Sequence, residues 1–176
     1  MTAGSETGRD FISSEGAREK AREAIQASGL LHDRLFAPWS GATLGEPVLV
    51  RSLGRDPSYW LIPVIIGGIT GGFVRVLGDG RVAHLGVFYR DPGSIEGPPA
   101  VTGMEAGEAA RRAAERIRPE EGERAAEPVF VHDGPVGREA WLIEVIRNGV
   151  AVRWIFITPG FTYERAAGTE REEGYY

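Results

Sequence analysis

The sequence predicts an α+β fold made of two duplicated units, each one helix packed on a three- to four-stranded antiparallel sheet, with the units in a pseudo-twofold arrangement. Three observations predict it. Residues 46–68 and 127–149 are one stretch written twice at an offset of 81 residues, with 10 identities in 23 positions; chance gives about two at this composition. An amphipathic helical segment precedes each copy. Within the copies, apolar runs of strand length alternate with glycine-rich or Asn-Gly turns, the pattern of hairpins.

The elements follow in order. Residues 1–12 are polar and read as a flexible tail. Ala17, Ala21, Ala24 and Ile25 recur at helical spacing and predict a helix over 14–28, stopped by Gly29. Residues 30–45 form a longer connection present in one copy only. Strands are predicted over 47–53, 59–66, 73–77 and 81–89. Gly67 to Gly72 supplies a hairpin or a bulge, and Gly78-Asp79-Gly80 a turn. Residues 91–101, rich in glycine and proline, are the linker. Thr102-Gly103-Met104-Glu105 has capping-box spacing and opens a second helix that Pro119 ends near Arg118. Strands over 129–132, 140–147 and 150–158 follow, the last two joined at Asn148-Gly149, and a mobile tail runs from Ala166. The domain boundaries are thus 1–12, 13–90, 91–101, 102–165 and 166–176.

Strand alternation places Trp60, Ile62, Val64 and Ile66 on one face and Leu61, Pro63 and Ile65 on the other. In the second copy Trp141, Ile143 and Val145 oppose Leu142, Glu144 and Ile146. Both faces are largely apolar, so one meets a helix and the other meets either the second copy or a second subunit, which allows a homodimer. Pro63 lacks an amide donor and predicts an exposed edge or a bulge at that point.

Composition narrows function mainly by exclusion. The 176 residues are 42% hydrophobic and 26% charged, with a net charge of −5. That balance predicts a folded, soluble chain and argues against nucleic-acid binding, which needs a basic footprint. There is no cysteine, which removes thiol catalysis and thiolate metal sites. The apolar stretch over 59–77 is broken by glycine, proline and Arg75, so no membrane span is expected. Residues 1–10 lack an apolar signal core, so the expected location is cytoplasmic.

No motif carries chemistry. His32, His84 and His132 have no paired ligand spacing, so no metal and no cofactor is expected. There is no nucleophile elbow, and the glycine run lacks the lysine and helix of a phosphate loop. No catalytic residue is assigned. Glu105, Glu108, Glu115, Glu120, Glu121 and Glu123, interspersed with arginines, read as a solvated ion-pair face. Trp60 and Trp141 lead equivalent strands and read as core anchors. The 30–45 segment is the candidate partner- or ligand-binding region, because His32, Asp33, Arg34, Phe36 and Trp39 combine polar and apolar groups in a long loop.

The segment Glu108–Gly160 carries Ala109-x(3)-Ala113-Ala114, Pro128-Val129-Phe130-Val131, Trp141-Leu142-Ile143-Glu144-Val145 and Thr158-Pro159-Gly160. This resembles the PepSY family and related cystatin-like helix-plus-sheet domains. That family has an acidic residue near the last turn, where Thr158 stands here. The resemblance implies a binding or regulatory role, sometimes toward peptidases and often outside the cytoplasm, with no catalytic residues. The expected function is a non-enzymatic binding or structural protein. Its protein or peptide partner would be met through a strand edge or the 30–45 loop. The alternative is a small-ligand carrier or enzyme with a pocket between the repeats.

Overall fold

Residues 11–27, 29–95 and 105–169 are described by the computed structural model. The tail 1–10, the terminal 170–176, Ser28 and most of the predicted linker, with Thr102-Gly103-Met104, lie outside the described residues. Among the described residues two helices occur, α1 at Ser14–Ala27 and α2 at Ala106–Ala114. Ten strands accompany them: β1 Thr43–Leu44, β2 Val48–Arg51, β3 Pro57–Ile66, β4 Ile69–Leu77 and β5 Val82–Val87 in the first half, then β6 Glu123–Ala125, β7 Val129–His132, β8 Glu139–Arg147, β9 Val150–Ile157 and β10 Thr162–Ala166 in the second. Short 3₁₀ turns stand at Leu30–His32, Ala37–Gly41 and Pro119–Glu121. Among the described residues no helix is long and apolar enough to cross a membrane.

All ten strands form one sheet in the order β10-β9-β8-β7-β2-β3-β4-β5, with β1 on β3 and β6 on β8. Every pairing is antiparallel except the central one, where β2 and β7 run parallel and meet at Arg51 and Val131. This overturns the expectation of two helix-on-antiparallel-sheet units in a pseudo-twofold arrangement. The chain is α+β and its sheet is mainly antiparallel, but that sheet is single, mixed and continuous. A repeat marks equivalent segments without specifying how they join.

The pairings themselves repeat at the offset of 81. Leu44 pairs with Val64 and Ala125 with Val145. A β-bulge follows Val64 in the β3–β4 hairpin and Val145 in the β8–β9 hairpin. The hairpin turns sit at Gly67-Gly68 and Asn148-Gly149, with φ of 57° and 84° in the first and 52° and 80° in the second, the paired positive values of a type I′ turn. The glycine run is therefore both turn and bulge. Pro63 is not at the sheet's edge: it lies opposite the break between β1 and β2, where its carbonyl accepts the Gly45 amide at 2.8 Å. The missing donor faces the gap, so no ladder bond is lost.

Side chains of the first half cluster on α1: Ala17 and Ala21 pack with Ile62, Val64, Val74 and Val76, flanked by Trp60 and Ile66. In the second, Ala109 and Ala113 pack with Ile143, Val145, Ile155 and Ile157, flanked by Trp141. The tryptophan-led face is the one that meets the helix in each half, a choice that two apolar faces left open. The opposite face of β2–β3, carrying Val50, Tyr59 and Leu61, packs with Phe130 and Trp141 of the α2 face. One continuous surface of the sheet is consequently the bare side of the first half and the helix side of the second, so α1 and α2 cover opposite faces. Trp60 and Trp141 lie on opposite faces too, and line no common cleft.

Candidate functional site

The 30–45 segment divides by chemistry. His32, Asp33 and Arg34 are exposed, whereas Phe36 is half-buried and Trp39 is buried. Asp33 accepts the Leu35 amide at 2.7 Å and so fixes the turn. Phe36 meets Trp39 edge to face at 5.0 Å, and Trp39 belongs to the α1 core. The five candidate residues are therefore not brought to one point. Trp39 lines a cavity of about 460 Å³ with Arg18, Arg22, Ser40 and Thr43, and His32 is not among its walls.

The polar part of this segment lies beside the end of β5. The Tyr89 hydroxyl donates to the Leu35 carbonyl at 2.7 Å, and burial pushes that phenol's pKa up. Arg34 approaches Asp91 at 3.7 Å. Asp33, Arg34, Leu35, Arg90 and Asp91 line a shallow cavity of about 250 Å³. Strand and loop thus form one surface. β5 pairs only with β4 among the described residues. The Phe88 amide donates to Gly71 at 2.8 Å; since antiparallel pairs alternate between bonded and non-bonded, Leu85 and Val87 turn their backbone amides and carbonyls outward.

Two polar groups at the seam and the far end escaped the sequence reading. Arg75 donates to Glu139 through Nε at 2.7 Å and Nη2 at 3.2 Å, and the Tyr59 hydroxyl donates to the same carboxylate at 2.9 Å. Burial first, and Glu139 second, hold the Tyr59 pKa well above the ordinary phenol value. His132 contacts Ser58 Oγ at 3.1 Å and the Gly134 carbonyl at 2.6 Å, and Arg55 pairs with Glu144. These groups tie the halves together across the parallel strands. Their partners are mutual and internal, which marks a structural joint.

The second group lies beside a cavity of about 740 Å³ between the β7–β8 loop and the β9–β10 turn, with Asp133, Arg138, Phe161, Tyr163 and Arg165 among its walls. Tyr163 and Arg165 belong to β10, where the sequence predicts no strand: the last predicted strand ends at 158 and the predicted tail begins at Ala166. The offset of 81 residues was the signal available: it carries Thr162–Ala166 onto the predicted strand over 81–89. Elsewhere, His84 stacks on Phe73 at 5.8 Å, and among the described residues no three His, Cys, Asp or Glu side chains converge as metal ligands would. No protein-family model, curated protein or solved structure gives a significant match to this chain.

Proposed function

We propose that this chain is a non-enzymatic binding protein that takes an extended protein or peptide segment onto the outer edge of β5, past the 30–45 loop. The observation that carries this reading is the composition of the two outer strands. β10, Thr-Tyr-Glu-Arg-Ala, carries two charged side chains, a usual guard against strand addition. β5, Val-Ala-His-Leu-Gly-Val, has no Asp, Glu, Lys, Arg or Pro in six residues. Its outward amides and carbonyls offer a main-chain template, and Asp33 and Arg34 stand at its end to read charge on the added segment. The resemblance to PepSY-like domains, which implies binding without catalysis, supports the same reading.

The test is affinity selection from a displayed random-peptide library, followed by hydrogen exchange on the bound chain. Selected peptides protect the Leu85 and Val87 amides, and Ala83→Lys, at an exposed edge position, abolishes capture without changing stability. Protection confined to other strands, or full capture by the Ala83→Lys chain, refutes the proposal.

A further inference from the structure

The cavity beside β10 is the strongest unassigned feature of the molecule, and it is at the opposite end of the sheet from β5. Two of its walls, Phe161 and Tyr163, belong to a run of stacked rings that continues behind it to Phe156. Phe156 and Tyr163 lie parallel with centroids 4.8 Å apart and an interplanar angle of 6°, and Phe161 continues the run on Tyr163 at 5.7 Å. The run ends in an exposed ring: Phe161 keeps 61% of its surface open at the cavity mouth. A solvent-exposed aromatic face backed by two further rings is a platform for one more planar group.

One charge around it has no partner among the described residues. Asp133, only 1% exposed, accepts the Tyr163 hydroxyl at 2.6 Å and has Arg165 Nη2 at 2.8 Å. Arg165 Cζ lies over the Phe156 ring, 4.7 Å from its centroid, yet its Nε, Nη1 and Nη2 are buried without a well-aligned acceptor. Its charge is thus matched while its donors are not spent. The other two acids of the cavity are engaged outside it, Glu139 by Arg75 and Glu164 by Arg116 and Arg153. That leaves Arg138, exposed on the β7–β8 loop and without an acidic partner among the described residues. An anion beside Arg138 would gain the planar, forked donors of a guanidinium.

We infer that this cavity binds a small planar aromatic carboxylate, its ring stacked on Phe161 and its carboxylate held by Arg138 above the Asp133–Arg165 floor. A cavity of about 740 Å³ is in the range of small-molecule sites, about 300–1,000 Å³. The site stands independently of the β5 edge.

The experiment is calorimetric titration of the full chain with naphthoate and with naphthalenemethanol, its neutral counterpart. Naphthoate binds saturably at one site and the alcohol binds at least about tenfold more weakly, as expected when a charge-assisted hydrogen bond is lost. Arg138→Ala and Phe161→Ala, both at exposed positions, each weaken naphthoate about tenfold or more, and circular dichroism shows them folded. Ala83→Lys leaves naphthoate binding unchanged, which separates this site from the β5 surface. Equal affinity for acid and alcohol, full affinity in Arg138→Ala, or no saturable binding of naphthoate overturns the inference.

Discussion

Gly72 in the first half and Arg153 in the second occupy the same place in their hairpins, opposite Val64 and Val145, yet they fill the space under their helices differently. At Gly72 the ring of Trp39 lies where a side chain would begin: an added Cβ would stand 2.5 Å from Trp39 Cζ2 and 2.6 Å from the Gly86 carbonyl oxygen. In the second half Arg153 crosses the equivalent space and donates to Glu123 at 2.6 Å and to the Arg116 carbonyl at 2.5 Å, and it also pairs with Glu164. Arg147 adds a second bond to Glu123 at 2.9 Å. One half is closed by an apolar plug supplied by the 30–45 segment, the other by an ion-pair network rooted in β6. The first depends on shape and tolerates no added atom. The second depends on charge, and therefore on pH.

The largest expected effect breaks the apolar plug. Trp39→Ala removes a ring that is 4% exposed and is expected to cost about 3–5 kcal/mol by denaturant unfolding; a cost below about 1 kcal/mol would show that the ring is not core. Next, Gly72→Ala forces the new methyl against both the ring and a backbone oxygen that cannot rotate away. The expected cost is about 1–3 kcal/mol, with the thermal midpoint as readout, and an unchanged midpoint would mean that the sheet yields there.

The smaller effect sharpens the ionic side. Hydrogen bonding from Arg153, chiefly, lowers the Glu123 pKa from 4.5 to about 2, against the opposing push of burial. A folded-state pKa below the unfolded one stabilises fully above about pH 4.5, and that contribution is lost as pH falls toward about 2. The wild-type chain is therefore expected to lose stability across that window more steeply than Glu123→Gln, which cannot titrate there. Superimposable acid-unfolding curves for the two proteins would remove Glu123 from the network.

Much of the secondary structure was legible because turn chemistry and apolar period act locally. The strands over 47–53, 59–66 and 129–132 appear within a few residues of their predicted ends, and both glycine-containing hairpins turn where expected. β10 was not legible from its own side chains: Thr162–Ala166 has no apolar alternation, since Glu164 joins the ion-pair network and Arg165 lies over rings, and only the 81-residue offset pointed to it. Glu123 was misread as part of a solvated helix face. α2 ends at Ala114, and Gly122, at φ 76°, turns the chain so that Glu123 enters β6 with its carboxylate buried. The candidate loop was legible as a place of mixed chemistry, but its division into an outward polar part and an inward aromatic part required the positions of Gly72 and Tyr89.

By itself, then, the sequence determined the repeat, the hairpins and which residues share a face of each main strand, because side-chain period and glycine placement are written residue by residue. Only the tertiary structure decided that β2 and β7 run side by side and parallel, that the helices cover opposite faces, and that Asp133, Arg138, Phe161 and Arg165 gather around one cavity. The physical reason is that strands join through backbone amides and carbonyls. Nearly every residue carries both, so the pattern of side chains does not record which edges meet.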